Sequence, residues 1–334
     1  MGKATQQPRS FNTIRRSQTK VRAKRRMNQR IVLLAMFATV ALILVSLLVL
    51  GGFAIANAII DARPAPDNSD NNPPSPNGIQ FIQTTKLAAD TLVGDLVLVN
   101  PDNRYTFPDA AEKTLECIND YRTKAEDGKF YYTLVEVQYK LKLQKNAIDA
   151  LNAMLLKSYE VTGDIIKISD AYRTLKAQEG RDIEPGYSDH HTGYCFAIRD
   201  NADSSELDPD HWIYENCHKY GFVVRYPEGK EDITEVSKYT FCLRYVGVPH
   251  ATYMYENDLC LEEYLDLLKN SYSSAATRLT ISAADGFDYD VYYVKASDSE
   301  VTTIDVPTSD FTYTVSGDNR GGFIVTVKKP VPLA

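Results

Sequence analysis

The sequence predicts an α+β domain carried beyond a single N-terminal transmembrane helix and followed by a small all-β C-terminal appendage. Three patterns carry this expectation. They are an uncharged apolar run near the N-terminus, helix-type and strand-type periodicities interleaved through the middle, and strand-type alternation alone at the end. The 334 residues are 44% hydrophobic and 24% charged, a balance that supports a packed core and excludes disorder over most of the chain.

The net charge of −7 conceals a sharp asymmetry. Residues 1–30 carry ten basic side chains (Lys3, Arg9, Arg15, Arg16, Lys20, Arg22, Lys24, Arg25, Arg26, Arg30) and no acid, and residues 31–60 carry no charge. A helix needs roughly 20 apolar residues to cross a bilayer core of about 30 Å, and Ile31 to Leu50 supplies them without a polar stripe. The run is about twice the usual apolar core of a cleaved signal peptide, so an uncleaved anchor is expected, with Ala54-Ile55-Ala56 as the site of cleavage if it is not. Lys and Arg stay on the cytoplasmic side. The expectation is therefore a single-pass cell-membrane protein with residues 1–30 in the cytoplasm and the C-terminal domain outside it. Basic residues beside an apolar helix set topology or meet anionic headgroups, so no nucleic-acid partner is expected.

Residues 61–80 (DARPAPDNSDNNPPSPNGIQ) lack apolar periodicity and read as a Pro/Asn-rich tether. At about 3 Å per residue such a segment reaches up to ~60 Å from the membrane, which suits a domain that faces the cell wall. Five cysteines follow, Cys117, Cys195, Cys217, Cys242 and Cys260; the number is odd and the spacing matches no zinc ribbon or redox pair.

Residues 81–272 alternate element types. Leu96-Val97-Leu98-Val99 predicts a short buried strand closed by Asn100-Pro101, and Ala147 to Tyr159 a core-facing helix. A strand is expected at 165–169. Next come a helix at 215–220 ended by Gly221, a strand at 222–226, a turn at 227–230, a strand around 241–246 and an amphipathic helix at 261–269. Over residues 273–334 only alternation remains, with Tyr289, Val291 and Tyr293 in one run and Phe311, Tyr313 and Val315 in another. About four strands are expected there.

The segment Gly186-Tyr187-Ser188-Asp189-His190-His191-Thr192-Gly193 resembles the SxHxxGxAxD motif of VanY-like zinc D-alanyl-D-alanine carboxypeptidases. Four further blocks agree in order. They are LVLVNP at 96–101, SDAYRTLKAQ at 169–178, YGFVVRYPEGKEDIT at 220–234, and RYVG at 244–247 with LEEY at 261–264. The resemblance spans roughly residues 90–270 and implies a D-Ala-D-Ala carboxypeptidase-like (Hedgehog/DD-peptidase-type) α+β fold. In that family His, Asp and His hold zinc, a Glu moves the proton of the metal-bound water, and an Arg with nearby hydroxyls fixes the substrate's carboxylate or carbonyl.

Carried over residue by residue, the family pattern departs here at the metal. His190 stands at the first ligand position, Ala197 at the ligand Asp, and Cys242 at the second ligand His, while Tyr239 occupies the position of the general base. No zinc or other cofactor is therefore expected. Cys195 and Cys242 read as small buried residues, with a His190/Cys195/Cys242 metal site as the alternative. Asp200 is expected to point to the opposite face from Ala197, and His191 away from His190 if both lie in extended backbone. On the substrate side Arg173, Gln178 and Ser188 keep family positions, Arg173 and Ser188 resembling its ligand-binding pair. The competing structural role gives Arg173 a buried acid as partner and makes Ser188 a loop end. His211, His218, His250 and Trp212 read as packing or surface residues.

Three functions follow from these readings. The first is an inactive, membrane-anchored pseudoenzyme facing the cell wall and binding peptidoglycan stem peptide or an envelope protein. The second is an active D,D-carboxypeptidase using an atypical metal site in peptidoglycan maturation. The third is a structural or scaffolding envelope protein.

Overall fold

In the computed structural model the described residues are 80–107, 111–135, 141–237, 239–308 and 311–330. The expected anchor at 31–60 and its basic flank lie outside them. Among the described residues no helix is long and apolar enough to cross a membrane. The described residues form one compact unit.

In chain order the strands and helices are β1 (Phe81–Leu87), β2 (Leu115–Cys117), β3 (Tyr132–Leu134), β4 (Lys142–Gln144), α1 (Lys145–Thr162), β5 (Ile166–Asp170) and α2 (Leu175–Gln178). There follow β6 (Cys195–Asp200), α3 (Trp212–Asn216), β7 (Phe222–Tyr226), α4 (Glu231–Thr234), β8 (Tyr239–Tyr245), α5 (Val248–Glu256) and α6 (Leu261–Ser271). The end of the chain holds β9 (Leu279–Ser282), β10 (Asp288–Lys295), β11 (Val301–Pro307), β12 (Thr312–Gly317) and β13 (Gly322–Lys328).

The central sheet has five strands in the order β3-β5-β6-β8-β7. Only β3 and β5 run parallel; the other pairs are antiparallel. Successive residues of a strand face opposite sides, and β6 uses this to divide labour. Phe196 and Ile198 pack with Leu151, Met154 and Leu155 of α1 in the main core. Cys195 and Ala197 face the other side, with Tyr226, Val236 and Cys242. Helix α1 sits on the sheet because Ala147, Ile148, Leu151, Met154 and Leu155 fall on one helical stripe, and it stops at Gly163, whose φ of 81° ends the helix in a left-handed cap.

A second core joins α5 and α6 to the C-terminal strands, with Leu261, Tyr264, Leu265 and Leu268 against Leu279, Ile281, Val291 and Ile324. The C-terminal sheet runs β12-β13-β10-β9, and β11 pairs with β1 across the length of the chain, Phe81 opposite Pro307 and Leu87 opposite Val301.

The strand expected at 96–99 is corrected. Leu96 to Val99 is fully buried but joins no ladder. Its backbone groups are taken by side chains and loops instead: Arg244 donates to the Asp95 and Val97 carbonyls at 2.8 and 3.0 Å. Arg225 donates to the Val99 carbonyl at 3.3 Å, and the Leu98 amide donates to the Asp318 carbonyl at 3.2 Å. Buried backbone groups must find partners, and here arginines supply them. The other expected strands and helices of the middle region appear within a few residues of their anticipated positions. Helix α5 was not anticipated; Pro249 stands near its start, where its missing N–H costs nothing.

Candidate functional site

The site lies on the face of the central sheet opposite α1. It is built from β6, β8 and the turn that precedes β6. Asp189 to Thr192 form one 3-10 turn, entered at Ser188 and closed by Gly193, whose φ is 73°. A Cβ at Gly193 would meet Leu115 Cδ2 at 2.3 Å, so a side chain there is both strained and obstructed. Gly193→Ala is expected to lower stability by about 1–2 kcal/mol, read as a fall in the melting temperature; an unchanged melt would contradict this role.

The expectation that His191 faces away from His190 rests on extended backbone, and Asp189–Thr192 form a 3-10 turn instead; His191 nevertheless takes no part in the cavity. Both histidines are buried. His191 is a brace: its Nε2 accepts from the Gly186 amide at 3.0 Å and its Nδ1 donates to the Arg173 carbonyl at 2.7 Å. Burial lowers its pKa, in keeping with a neutral ring that must accept at one nitrogen. His190 directs Nδ1 to the Ala171 carbonyl at 2.7 Å. That contact makes Nδ1 the donor and leaves the Nε2 lone pair facing Cys242 Sγ, 4.0 Å away.

Ala197 and Cys242 are direct partners in the β6–β8 register, and Cys195 pairs with Arg244. Cys195 and Cys242 are therefore diagonal neighbours on one face. With His190 they form a buried group of three donors whose ligand atoms all lie within 4.8 Å of one another. Burial pushes the Cys195 thiol well above its ordinary range. Burial works against a charge on His190, but the Cys195 sulfur and Asp170 together favour it, and the balance is upward. Asp200 takes no part; its carboxylate accepts from the Ala202 amide at 2.7 Å in the turn after β6.

Tyr239, which the motif resemblance sets at the base position, donates its hydroxyl to Asp182 at 2.9 Å. That hydrogen bond, with some burial, raises the phenol's pKa, so at neutral pH it is a proton donor and not a base. Beside it opens a cavity of about 250 Å³ lined by Arg173, Gln178, Arg181, His190, Arg199 and Cys242 among others. Its carboxylates are Asp170 and Asp182, and both are engaged. Asp170 accepts from Arg173 at 2.5 Å and faces Arg181 at 3.5 Å, while Asp182 holds Tyr239. Burial opposes ionisation of Asp170, yet the hydrogen bond from Arg173 and the charges around it hold its pKa below the usual carboxylate range.

Arg173 reaches Gln178 Oε1 at 2.8 Å, and Gln178 in turn donates to the Ile183 carbonyl at 2.7 Å. Arg173 and Gln178, expected on the substrate side, thus share the cavity with His190. Ser188 does not; it is fully buried, and its hydroxyl has no hydrogen-bond partner among the described residues.

Sequence reasoning passed over the residue between Ser188 and His190. Asp189 is completely buried and sits between two completely buried arginines. Arg244 donates to its Oδ1, and Arg225 approaches its Oδ2 at 3.2 Å. Arg225 also grips Glu262 with two hydrogen bonds of 3.0 and 2.8 Å, and Asn100 donates to the same carboxylate at 3.1 Å. Two positive and two negative groups close the charge balance. A signal was present: Arg225 interrupts the apolar run Phe222-Val223-Val224, which implies a buried acid somewhere.

The comparisons with known proteins agree with this architecture. A family model described as VanY, D-alanyl-D-alanine carboxypeptidase, matches residues 181–248. The D-alanyl-D-alanine carboxypeptidase of Enterococcus faecium is 40% identical over 147 residues, 43% of this chain and 45% of that protein. VanXYC of Enterococcus gallinarum, a bifunctional D-Ala-D-Ala dipeptidase and D-Ala-D-Ala carboxypeptidase, is 30% identical over 158 residues, covering 47% of this chain and 69% of that one. In fold, the chain is similar to the crystal structure of the vancomycin-resistance D,D-dipeptidase VanXYg with a D-Ala-D-Ala phosphinate analogue, at a TM-score of 0.63 and 24% identity over 75% of this chain and 100% of that one. The chain belongs to the VanY-like D-alanyl-D-alanine carboxypeptidase family. It spans under half the length of the Enterococcus faecium relative.

Proposed function

We propose that this protein is a membrane-anchored, cell-wall-facing family member that binds the D-Ala-D-Ala end of the peptidoglycan stem peptide without hydrolysing it. One observation carries the reading: the cavity keeps its cationic wall of Arg173, Arg181 and Arg199, while the position of the base holds a phenol tied to Asp182. A terminal carboxylate is matched by guanidinium groups in a recessed site. Water activation needs a proton acceptor within hydrogen-bond reach, and both carboxylates of the cavity are already committed to Arg173 and Tyr239.

A second reading, an active D,D-carboxypeptidase with an atypical metal site, is favoured by the convergence of His190, Cys195 and Cys242. One pair of assays separates them. The full-length protein, incubated with a D-Ala-D-Ala-terminated pentapeptide, is expected to bind it and release no D-alanine. Removing the charge in Arg173→Met is expected to weaken binding about ten- to hundredfold, the worth of one hydrogen bond to a charged group at roughly 1.5–3 kcal/mol. Unchanged affinity in that variant sinks the proposed recognition. Release of D-alanine by the wild type establishes the second reading instead.

A further inference from the structure

We infer that His190, Cys195 and Cys242 form a zinc site of one imidazole and two thiolates, a donor set different from the family's His, Asp and His. The family's own set cannot form here, because Ala197 offers no donor at the middle position. Cys195 lies two residues before it on the same face of β6, and Cys242 stands directly across from Ala197 on β8. The lost carboxylate is thus answered by a thiol one step along the same strand.

Three features make this more than a chance grouping. The donor atoms lie within 4.8 Å of one another with no ion present. Zinc–sulfur bonds of about 2.3 Å and zinc–nitrogen bonds of about 2.0 Å put tetrahedral donors roughly 3.5–3.8 Å apart, so the group closes with side-chain adjustments on the order of 1 Å. His190 is already oriented as a ligand: its Nδ1 is spent on the Ala171 carbonyl at 2.7 Å, the outer contact that fixes a metal-binding imidazole with Nε2 inward. The turn carrying His190 is itself anchored one residue earlier, at Asp189, by Arg225 and Arg244.

The chemistry of the donors selects the ion. Two thiolates and an imidazole suit a borderline-soft ion and exclude magnesium and calcium, which take oxygen ligands. Two thiolates also neutralise a divalent charge, which matters because all three residues are buried. His190 and Cys242 line the cavity that holds Arg173, so the ion stands within reach of whatever occupies it. Nothing in this inference requires that the occupant be a stem peptide.

The test is metal content of the full-length protein, purified in detergent under reducing conditions and measured by elemental analysis for zinc and copper. The expected result is about one zinc per chain. It falls to near zero in Cys195→Ala and Cys242→Ala and is unchanged in Cys117→Ser, which alters a thiol outside the group. Circular dichroism shows whether each variant is folded. Cobalt exchanged into the wild type is expected to give a near-ultraviolet thiolate-to-metal absorption band that weakens in each single-cysteine variant. Folded wild type without zinc overturns the inference, as does zinc retained in Cys195→Ala, copper in place of zinc, or a cobalt complex without the thiolate band. Peptide affinity is not a readout, so this result and that of the Arg173→Met assay can fail separately.

Discussion

Arg225→Met is expected to unfold at a markedly lower denaturant concentration than wild type, a loss of about 3–5 kcal/mol, the cost of breaking a buried ion pair by removing one partner. The reason lies in what is left behind. Glu262 loses both of its arginine hydrogen bonds and keeps only Asn100. Burial works against the Glu262 charge, and Arg225 more than offsets it, holding the carboxyl below its usual range. Without Arg225 that compensation is gone. Asp189 retains Arg244, and the Val99 carbonyl loses its donor. The double variant Arg225→Met/Glu262→Leu removes both charges of one pair and leaves Asp189 matched with Arg244. It is expected to recover at least about 1–2 kcal/mol relative to Arg225→Met alone, because an apolar replacement of a whole pair is far less costly than a broken one. The single Trp212 provides the fluorescence signal for both melts. Strict additivity of the two substitutions, or a single variant as stable as wild type, would falsify the network's role.

That network also explains why several matched blocks are spaced as they are. Asp189 comes from the His190 turn, Arg225 from β7, Arg244 from β8 and Glu262 from α6. Each falls in a stretch already recognisable by its resemblance to the family. The blocks read as separate in the sequence because the contacts joining them span up to 162 residues, as between Asn100 and Glu262. Local patterns were legible for local reasons. Helix α1 shows its apolar stripe, and Phe222–Tyr226 is a strand between a glycine and a proline.

What was not legible depended on distant partners. Leu96 to Val99 has the composition of a strand, but its hydrogen bonds go to arginine side chains and to distant residues such as Ser316 and Asp318 rather than to a neighbouring strand. Strand β1 owes its existence to β11, more than 200 residues away. At the site, the positions of His190, Ala197 and Cys242 followed from motif spacing alone. A grouping of Cys195 with His190 and Cys242 stood only as an alternative, because choosing it depends on the register of β6 against β8. The 3-10 turn carrying His190 and His191 was not legible for a similar reason, since four residues leave no periodicity to read. Ser188 kept its family position, yet its side chain is sealed in the interior, and no sequence pattern distinguishes a serine on a groove from one just beneath it.

His250 is expected to make the protein less stable in acid, and the effect is separable by one substitution. Its ring bridges two parts of the fold, with Nδ1 against the Tyr264 hydroxyl of α6 at 2.7 Å and Nε2 against Thr326 of β13 at 3.0 Å. Burial pushes its pKa from 6.5 down to about 3. The folded state therefore keeps the ring neutral where the unfolded chain would bind a proton. Between roughly pH 6.5 and 3 the unfolded state holds the extra proton, so stability falls as pH falls, by about 1.4 kcal/mol per unit. Asp95 works in the opposite sense. Burial raises its pKa from 3.8 to about 6, so through that interval the folded state binds the extra proton and acid favours folding. The two slopes offset each other in the wild type, and the His250 contribution must be read as a difference. Wild type is expected to be more stable than His250→Gln at pH 7.5, since the variant disturbs two buried hydrogen bonds. The gap should narrow by about 2 kcal/mol at pH 5, the share of the linkage expended over 1.5 units. Chemical denaturation of both proteins at the two pH values decides the matter. A gap that stays constant with pH would mean that the unfolded chain gains no proton at His250 that the folded state lacks, and the neutral bridge between α6 and β13 would have to be abandoned.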